Sequence, residues 1–155
     1  YRYFPLDEDH PVDPQSDYAL SKYVGEVIAD AFARDFGLTT VSLRFTDVVT
    51  LHRWPSLPEP IPPDQRYPLP HYVHIRDCAR ACYLAVTAPL PSGSHTVAFI
   101  AARDTHVDMP SRELIQRYYP DAELRADIQG YDALISGKRA EAAFGFVPEF
   151  SCRSC

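Results

Sequence analysis

The sequence is poor in the features that mark several large classes of protein. No apolar run among its 155 residues approaches the ~20 residues that a membrane-spanning helix needs. Lysine and arginine form no cluster, and the formal net charge is -6. A general nucleic-acid or anionic-membrane binder needs cations that neutralise phosphate groups. We therefore expect a cytoplasmic protein with no nucleic-acid or membrane partner.

Glycine is scarce as well. The six glycines are scattered at positions 25, 37, 93, 130, 137 and 145. None of them forms a Gly-x-Gly-x-x-Gly or Gly-x-x-Gly-x-x-Gly pattern, in which the backbone between a strand and a helix closely approaches a pyrophosphate. These residues therefore do not form a glycine-rich phosphate-binding turn.

The four cysteines do not have the spacing of a metal site. Cys78 and Cys82 are four residues apart on a predicted helix, and we expect them to be small core residues. Cys152 and Cys155 form a terminal Cys-x-x-Cys that lacks the context of a zinc ribbon or a redox-active turn, and we expect a frayed tail. The prediction is that the protein has no metal site.

The order of the predicted elements indicates an α/β fold. A hydrophobic content of 46% is sufficient for the core of one domain. The pattern predicts helices at 16–36, 77–87, 111–119 and 136–144, and strands at 39–45, 72–75, 95–101 and, more weakly, 123–128. Strands that alternate with helices favour a mostly parallel sheet. For the first helix we expect a buried stripe of Ala19, Tyr23, Val27 and Ala31.

Proline is concentrated in one segment. Residues 46–70 contain seven prolines and no periodicity, which predicts an irregular loop that closes over a pocket. Trp54, the only tryptophan, lies in this loop. Tryptophan and nearby tyrosines could provide a stacking platform, so a sugar-binding module is one alternative function.

Tyr18 and Lys22 are the most informative pair. Side chains four residues apart on a helix share one face. A neighbouring ammonium stabilises a phenolate, and such a tyrosine could exchange a proton with a substrate hydroxyl or carbonyl. The alternative is a partly buried aromatic ring beside a solvated lysine.

The pair belongs to a series of segments that together resemble a known family. In chain order these are Pro5-Leu6-Asp7-Glu8, Tyr18-Ala19-Leu20-Ser21-Lys22, Leu43-Arg44-Phe45-Thr46-Asp47-Val48, Tyr72-Val73-His74-Ile75-Arg76-Asp77-Cys78-Ala79, and the ending from Gly137 to Pro148. The series is similar to the extended short-chain dehydrogenase/reductase family, the NAD(P)-dependent epimerases and dehydratases. The resemblance covers nearly the whole chain.

The resemblance implies a fold and a cofactor. Residues 1–155 would be the C-terminal portion of a Rossmann-like, doubly wound parallel sheet with a small substrate-binding lobe. The glycine-rich N-terminal half, and the Ser or Thr that completes the family's catalytic triad, would precede Tyr1. We therefore expect a fragment of an enzyme that uses NAD or NADP, and a homodimer in the intact protein.

The resemblance also implies roles for single residues. Tyr18 would be the general acid/base, and Lys22 would assist it and hold the nicotinamide ribose hydroxyls. Phe45, Thr46 and Val48 occupy strand-end positions that contact the nicotinamide end in relatives. For Phe45 and Val48, ordinary core packing is the alternative.

The substrate positions depart from the family pattern. Asp47 stands where nucleotide-sugar enzymes usually have Asn, and His71 ends a Pro-His pair where they have Arg-Asp. A carboxylate repels a diphosphate, which disfavours a nucleotide sugar unless Arg53 or Arg66 compensates. A free sugar, sugar acid, lactone or hydroxy ketone then becomes the favoured substrate, with Asp47, Trp54, Arg66 and His71 as candidate contacts.

Other polar residues have structural interpretations. We expect His74 to support the fold and Glu8 to be an ordering or surface carboxylate. A second alternative function is a protein-interaction module without cofactor, which the missing glycine-rich turn would explain. A half sheet would also expose a strand edge and apolar helix faces.

Overall fold

The strands that the structure describes pair in parallel, and helices pack against them. The computed structural model describes residues 1–58, 60 and 69–154. The paired strands are β1 (Tyr3–Phe4) with β6 (Glu123–Leu124), β2 (Thr40–Phe45) with β5 (His95–Ile100), and β3 (Asp47–Val49) with β4 (Tyr72–His74). The helices are α1 (Asp17–Phe36), α2 (Ile75–Thr87), α3 (Ser111–Tyr118) and α4 (Lys138–Phe144). The predicted α/β class with a parallel sheet is confirmed.

Local signals define the ends of α1. Ser16 is the N-cap, and its hydroxyl accepts the Ala19 N–H at 3.1 Å. Gly37 ends the helix with a φ of 68°, a left-handed conformation that a glycine adopts without steric cost. The predicted bounds are therefore confirmed to within one residue.

The predicted buried stripe of α1 is wrong. Ala33 is the buried residue of this helix, whereas Tyr23 and Val27 are 39% and 49% exposed. The helix lies on β2 and β5 with a side made of small and polar residues. Its large apolar side chains face away from the described part of the chain, which is why a hydrophobic period identified the wrong side.

Strands β2 and β5 form the longest pair, in register from Thr40 opposite His95 to Phe45 opposite Ile100. One face of the pair contacts α1. The other face packs against α2 and α4 in an apolar core whose members include Val41, Leu43, Val73, Ala81, Ala98, Ile100, Ala140, Phe144 and Phe146. Because successive strand residues point to opposite faces, this pair forms a layer between two layers of helix.

The interpretation of 46–70 as one irregular loop is wrong at its beginning. Asp47–Val49 is strand β3, and Trp54–Ser56 is a short 3₁₀ helix. A strand of three residues is too short to show a period, and its partner β4 is distant in sequence. Glu59 and residues 61–68, including Arg66, lie outside the described residues.

The Asp77 carboxylate anchors the C-terminal segment. Asp77 is fully buried and accepts the backbone N–H groups of Glu149 and Phe150 at 3.1 Å. Arg80 lies 3.2 Å from the same carboxylate and also donates to the Val147 carbonyl. The segment after α4 is thereby fixed to α2.

His74 supports the fold, as predicted. It is 1% exposed and caps α2, with Nδ1 accepting the Arg76 N–H at 3.3 Å. Its ring stacks on Phe150 at a centroid separation of 4.1 Å. Burial lowers the pKa of the imidazole. The neutral ring is therefore the form that fits this core.

Two predictions for the cysteines are wrong. Cys82 is exposed on α2, because this part of the helix faces away from the sheet. Cys152 belongs to no frayed tail: it is 5% exposed, and its N–H donates to the Tyr72 hydroxyl at 2.7 Å.

Cys78 packs against the apolar core, as predicted, and is half-buried. Burial raises the pKa of its thiol to about 11. Cys155 lies outside the described residues.

Among the described helices, none combines the length and the apolar character required to cross a membrane.

Candidate active site

The cleft beside the first turns of α1 is the candidate active site. Its volume is about 720 Å³, and its walls come from the N-terminal segment, α1, β2 and β5. The lining includes Tyr18, Lys22, Glu26, Arg44, Phe45 and Phe99. Phe45 lies at the carboxyl end of β2, the edge at which ligands bind in parallel sheets.

Tyr18 and Lys22 face this cleft together. The Lys22 ammonium lies 5.1 Å from the centroid of the Tyr18 ring, which shows that the two side chains share a helix face as predicted. Tyr18 is 70% exposed, so the alternative of a partly buried aromatic ring is wrong. The arrangement leaves the phenol accessible to a ligand next to a cation.

A bidentate ion pair lies beneath them, and the sequence interpretation missed it. Arg44 on β2 donates from Nε and Nη2 to the two carboxylate oxygens of Glu26 on α1, at 2.8 and 2.7 Å. This hydrogen bonding raises the pKa of Arg44. The available signal was the position of Glu26, which is four residues after Lys22 and eight after Tyr18 on the same helix.

The strand-end residues occupy different environments. Phe45 and Val48 are 39% and 40% exposed, so ordinary core packing is wrong for both. Thr46 is buried, and its hydroxyl donates to the Ile100 carbonyl at 3.2 Å. In the described part of the chain Phe45 lines the Tyr18 cleft, whereas Thr46 and Val48 do not.

Asp47 is paired with a cation. Arg53 Nη1 lies 2.5 Å from Asp47 Oδ2, and both side chains are partly exposed. The guanidinium neutralises the carboxylate charge that would repel a diphosphate. Arg53 is therefore the cation that pairs with Asp47 in the structure, and Arg66 lies outside the described residues.

Trp54 and His71 are not among the described residues that line the cleft of Tyr18 and Lys22. Trp54 is half-buried, and its ring contacts Tyr72 and His74 at centroid separations of 5.9 and 4.6 Å. His71 is half-buried, and its burial lowers the pKa of the imidazole. These contacts give the Trp54 ring a packing role.

Glu8 is an ordering residue, and the surface alternative is wrong. Its side chain is 2% exposed. The carboxylate accepts the Phe99 N–H at 2.6 Å and lies 3.4 Å from Arg139. It joins the N-terminal segment to β5 and α4, and it fixes one wall of the cleft.

Within residues 1–58, 60 and 69–154, no three His, Cys, Asp or Glu side chains are placed to hold a metal ion.

A parallel α/β fold with an accessible Tyr/Lys pair at its strand ends is the arrangement implied by the family resemblance. The profile of the NAD dependent epimerase/dehydratase family matches residues 2–101, more than half of the chain. The chain belongs to this family.

Solved structures support the fold. The protein MoeE5, in complex with UDP-glucuronic acid and NAD, is 18% identical with a TM-score of 0.65, over 99% of this chain and 56% of that one. A UDP-glucuronic acid 4-epimerase from Bacillus cereus is 18% identical with a TM-score of 0.58, over 95% and 52%. DesIV, a dTDP-glucose 4,6-dehydratase from Streptomyces venezuelae, is 22% identical with a TM-score of 0.58, over 93% and 49%.

A shorter match has higher identity. A provisionally named UDP-glucose 4-epimerase of Methanocaldococcus jannaschii is 46% identical over 46 residues, which is 30% of this chain and 15% of that protein. The chain thus spans about half the length of the solved structures it matches, and a smaller share of this relative.

Proposed function

We propose that this chain provides the acid/base residues of an NAD(P)-dependent oxidoreductase, epimerase or dehydratase that acts on a sugar or a small hydroxy or keto compound. One observation carries the proposal. Tyr18 is 70% exposed in a cleft at the strand ends, with the Lys22 ammonium 5.1 Å from its ring centroid. An exposed phenol next to a cation is suited to proton exchange with a bound ligand.

Tyr18 would transfer the proton in this reaction. Its hydroxyl would donate a proton to a substrate carbonyl oxygen in one direction, and its phenolate would accept a substrate hydroxyl proton in the other. The Lys22 ammonium would stabilise the negative charge that the phenol oxygen acquires. The two residues would act as a unit, because they lie on one face of α1.

The residues fit the nicotinamide end of NAD(P), which would supply the hydride chemistry when bound. Lys22 would hold the ribose hydroxyls, and the partly exposed Phe45 ring would contact the nicotinamide. For the pyrophosphate the chain offers no glycine-rich turn. We propose that a glycine-rich strand-turn-helix in an N-terminal half of the complete protein fulfils that role.

A nucleotide sugar is the second candidate substrate. It is favoured by the Arg53–Asp47 contact of 2.5 Å, which removes the repulsion between Asp47 and a diphosphate. Two of the solved neighbours contain UDP-glucuronic acid. A small substrate retains support, because a GalE-like L-threonine dehydrogenase from Cupriavidus necator has a TM-score of 0.54 at 16% identity.

A homodimer formed through α1 is part of the proposal. Val24 and Ala33 are nine residues apart and lie on opposite sides of the helix, since the helix advances about 100° per residue. Ala33 faces the sheet, so Val24 faces outwards and is 44% exposed. Its exposed apolar neighbours on α1 are Leu20, Val27, Ile28 and Phe32. A second copy of α1 offers a matching apolar surface.

The test is turnover by the complete protein. Reduction of NAD⁺ or NADP⁺, and interconversion of UDP- and dTDP-sugars, free sugars and β-hydroxy amino acids, would be measured for the wild type, Tyr18→Phe and Tyr83→Phe. Tyr83 is a matched control on α2, because it is 68% exposed and lies away from the cleft. We expect Tyr18→Phe to lower turnover ~100-fold or more, with Tyr83→Phe unchanged. Equal activity of the two variants would contradict the proposal.

A further inference from the structure

The first half of α1, which bears Tyr18 and Lys22, is weakly attached to the rest of the described fold. The buried residue of the helix, Ala33, lies near its other end. Between Asp17 and Gly25 only Ala19 is even half-buried. Within the described chain, apolar packing therefore does not determine the direction in which Tyr18 and Lys22 point, and the outward-facing Leu20 and Val24 of the proposed dimer face do not hold the helix to the sheet.

The ion pair between Arg44 and Glu26 constrains the orientation of this half of α1. Glu26 follows Tyr18 and Lys22 at successive intervals of four residues, so the three side chains lie along one side of the helix. Its two oxygens accept from Nε and Nη2 of Arg44 at 2.8 and 2.7 Å. A bidentate pair fixes rotation as well as distance, which a single contact does not.

Arg44 is itself held firmly. It lies in β2 directly opposite Phe99 of β5, and its guanidinium is 5.2 Å from the centroid of the Phe99 ring. The Phe99 N–H donates to Glu8 at 2.6 Å, and Glu8 lies 3.4 Å from Arg139. The chain of contacts runs from α4 through the sheet to α1.

We propose that Glu26 and Arg44 are positioning residues, which orient the first half of α1 so that Tyr18 and Lys22 face the cleft. The inference rests on the proposed function. Both side chains line the cleft, yet they act through the helix and not on the substrate. A displacement of about 1 Å at a reacting group lowers turnover by as much as ~100-fold, so an exposed helix end needs such a constraint.

The experiment compares Glu26→Gln, Glu26→Ala, Arg44→Ala and the double alanine variant of the complete protein. Asp30→Ala is the matched control, because Asp30 is also an α1 carboxylate with an arginine partner, Arg34 at 3.2 Å, but this pair stays within the helix. The measurements are kcat and KM well below the thermal midpoint, and the dissociation constant for NADH from its fluorescence anisotropy.

We expect Glu26→Ala to lower kcat ~10-fold or more and to weaken NADH binding, with a smaller loss for Glu26→Gln and none for Asp30→Ala. The double variant should be no worse than the single ones, because either change breaks the same bond. Unchanged kcat and NADH affinity in folded Glu26→Ala would overturn the inference. If the wild type turns over none of the substrates but binds NADH more tightly than Glu26→Ala, the reaction assignment is withdrawn and the positioning role stands.

Discussion

Two tyrosines in two of the family segments have opposite environments. Tyr18 is 70% exposed at the start of α1, whereas Tyr72 in β4 is fully buried. The Tyr72 hydroxyl donates to Asp104 at 2.7 Å and accepts the Cys152 N–H at 2.7 Å. Burial is the main reason that the pKa of Tyr72 is raised.

The difference separates residues that stabilise the fold from residues that are exposed to a ligand. Tyr72, His74 and Asp77 are buried and hydrogen-bonded, so a change at any of them leaves a partner unsatisfied. The start of α1 buries little, so a change there affects whatever binds to it. Membership of a family segment does not distinguish these cases; the surroundings of each side chain do.

The largest effect on stability is expected from Asp77→Ala. The change leaves the Glu149 and Phe150 N–H groups and the Arg80 guanidinium without their carboxylate. The free energy of unfolding should fall by ~3–5 kcal/mol in urea titrations.

The control for Asp77→Ala is Asp30→Ala, because Asp30 forms an exposed pair within α1. It should lower the free energy of unfolding by less than ~1 kcal/mol. Similar losses for the two variants would contradict the distinction drawn between the two regions.

The two tyrosines themselves give the sharpest test, because Tyr→Phe removes one oxygen from each. Tyr72→Phe should lower the free energy of unfolding by ~1–3 kcal/mol, since Asp104 Oδ1 and the Cys152 N–H both lose the Tyr72 hydroxyl as a partner. Tyr18→Phe should change it by less than ~0.5 kcal/mol. A greater loss of stability for Tyr18→Phe than for Tyr72→Phe would contradict the conclusion that Tyr72 stabilises the fold and Tyr18 does not.

The buried imidazole of His74 makes the same region sensitive to acid. Burial lowers the pKa of His74 in the folded protein, while the unfolded chain binds the proton near pH ~6.5. The stabilising contribution of the neutral His74 ring is therefore fully present above pH ~6.5. It is lost as the pH falls below ~6.5, by up to ~1.4 kcal/mol per pH unit for one proton. His71, whose pKa is also lowered by burial, adds in the same direction.

The measurement is the free energy of unfolding between pH 5 and 7.5, an interval chosen to span ~6.5. His74→Asn should make the pH dependence shallower, and His52→Asn at an exposed loop position should leave it as it is. An identical slope in the wild type and His74→Asn would show that His74 does not contribute.

The smallest effect on chain stability is expected on the outer side of α1. Val24→Asp should dissociate the complete protein into monomers in sedimentation velocity, while its free energy of unfolding as a monomer changes by ~0.5 kcal/mol or less. Val86→Asp, at an 86% exposed position of α2, should leave the dimer intact. A dimer that persists in Val24→Asp would place the interface elsewhere.

Local signals in the sequence were sufficient for some of the fold. The N-cap at Ser16 and the left-handed Gly37 define α1, and Gly145, with a φ of 68°, ends α4. The strands β2 and β5 were found because β-branched and apolar residues persist over six positions. For the candidate site, the four-residue spacing of Tyr18 and Lys22 was sufficient to predict their shared face.

Long-range contacts determined the rest. Strands β1 and β3 have two and three residues, and each exists because of a partner far along the chain. The Tyr72 hydroxyl meets the Cys152 N–H across 80 residues, and Glu26 meets Arg44 across 18. No periodicity encodes such pairs, so the anchoring of Cys152 and the constraint on α1 required the structure.

The contact between Glu8 and the Phe99 N–H also determines where the sheet ends. The Ile100 carbonyl accepts the N–H of Thr46, directly after β2, so the N–H of the neighbouring Phe99 points to the opposite, outer edge of β5. A carboxylate that occupies this N–H removes a donor that an added strand would need. One side chain from the N-terminal segment therefore blocks strand addition at this point on the outer edge of β5, which favours addition of a further strand on the β2 side.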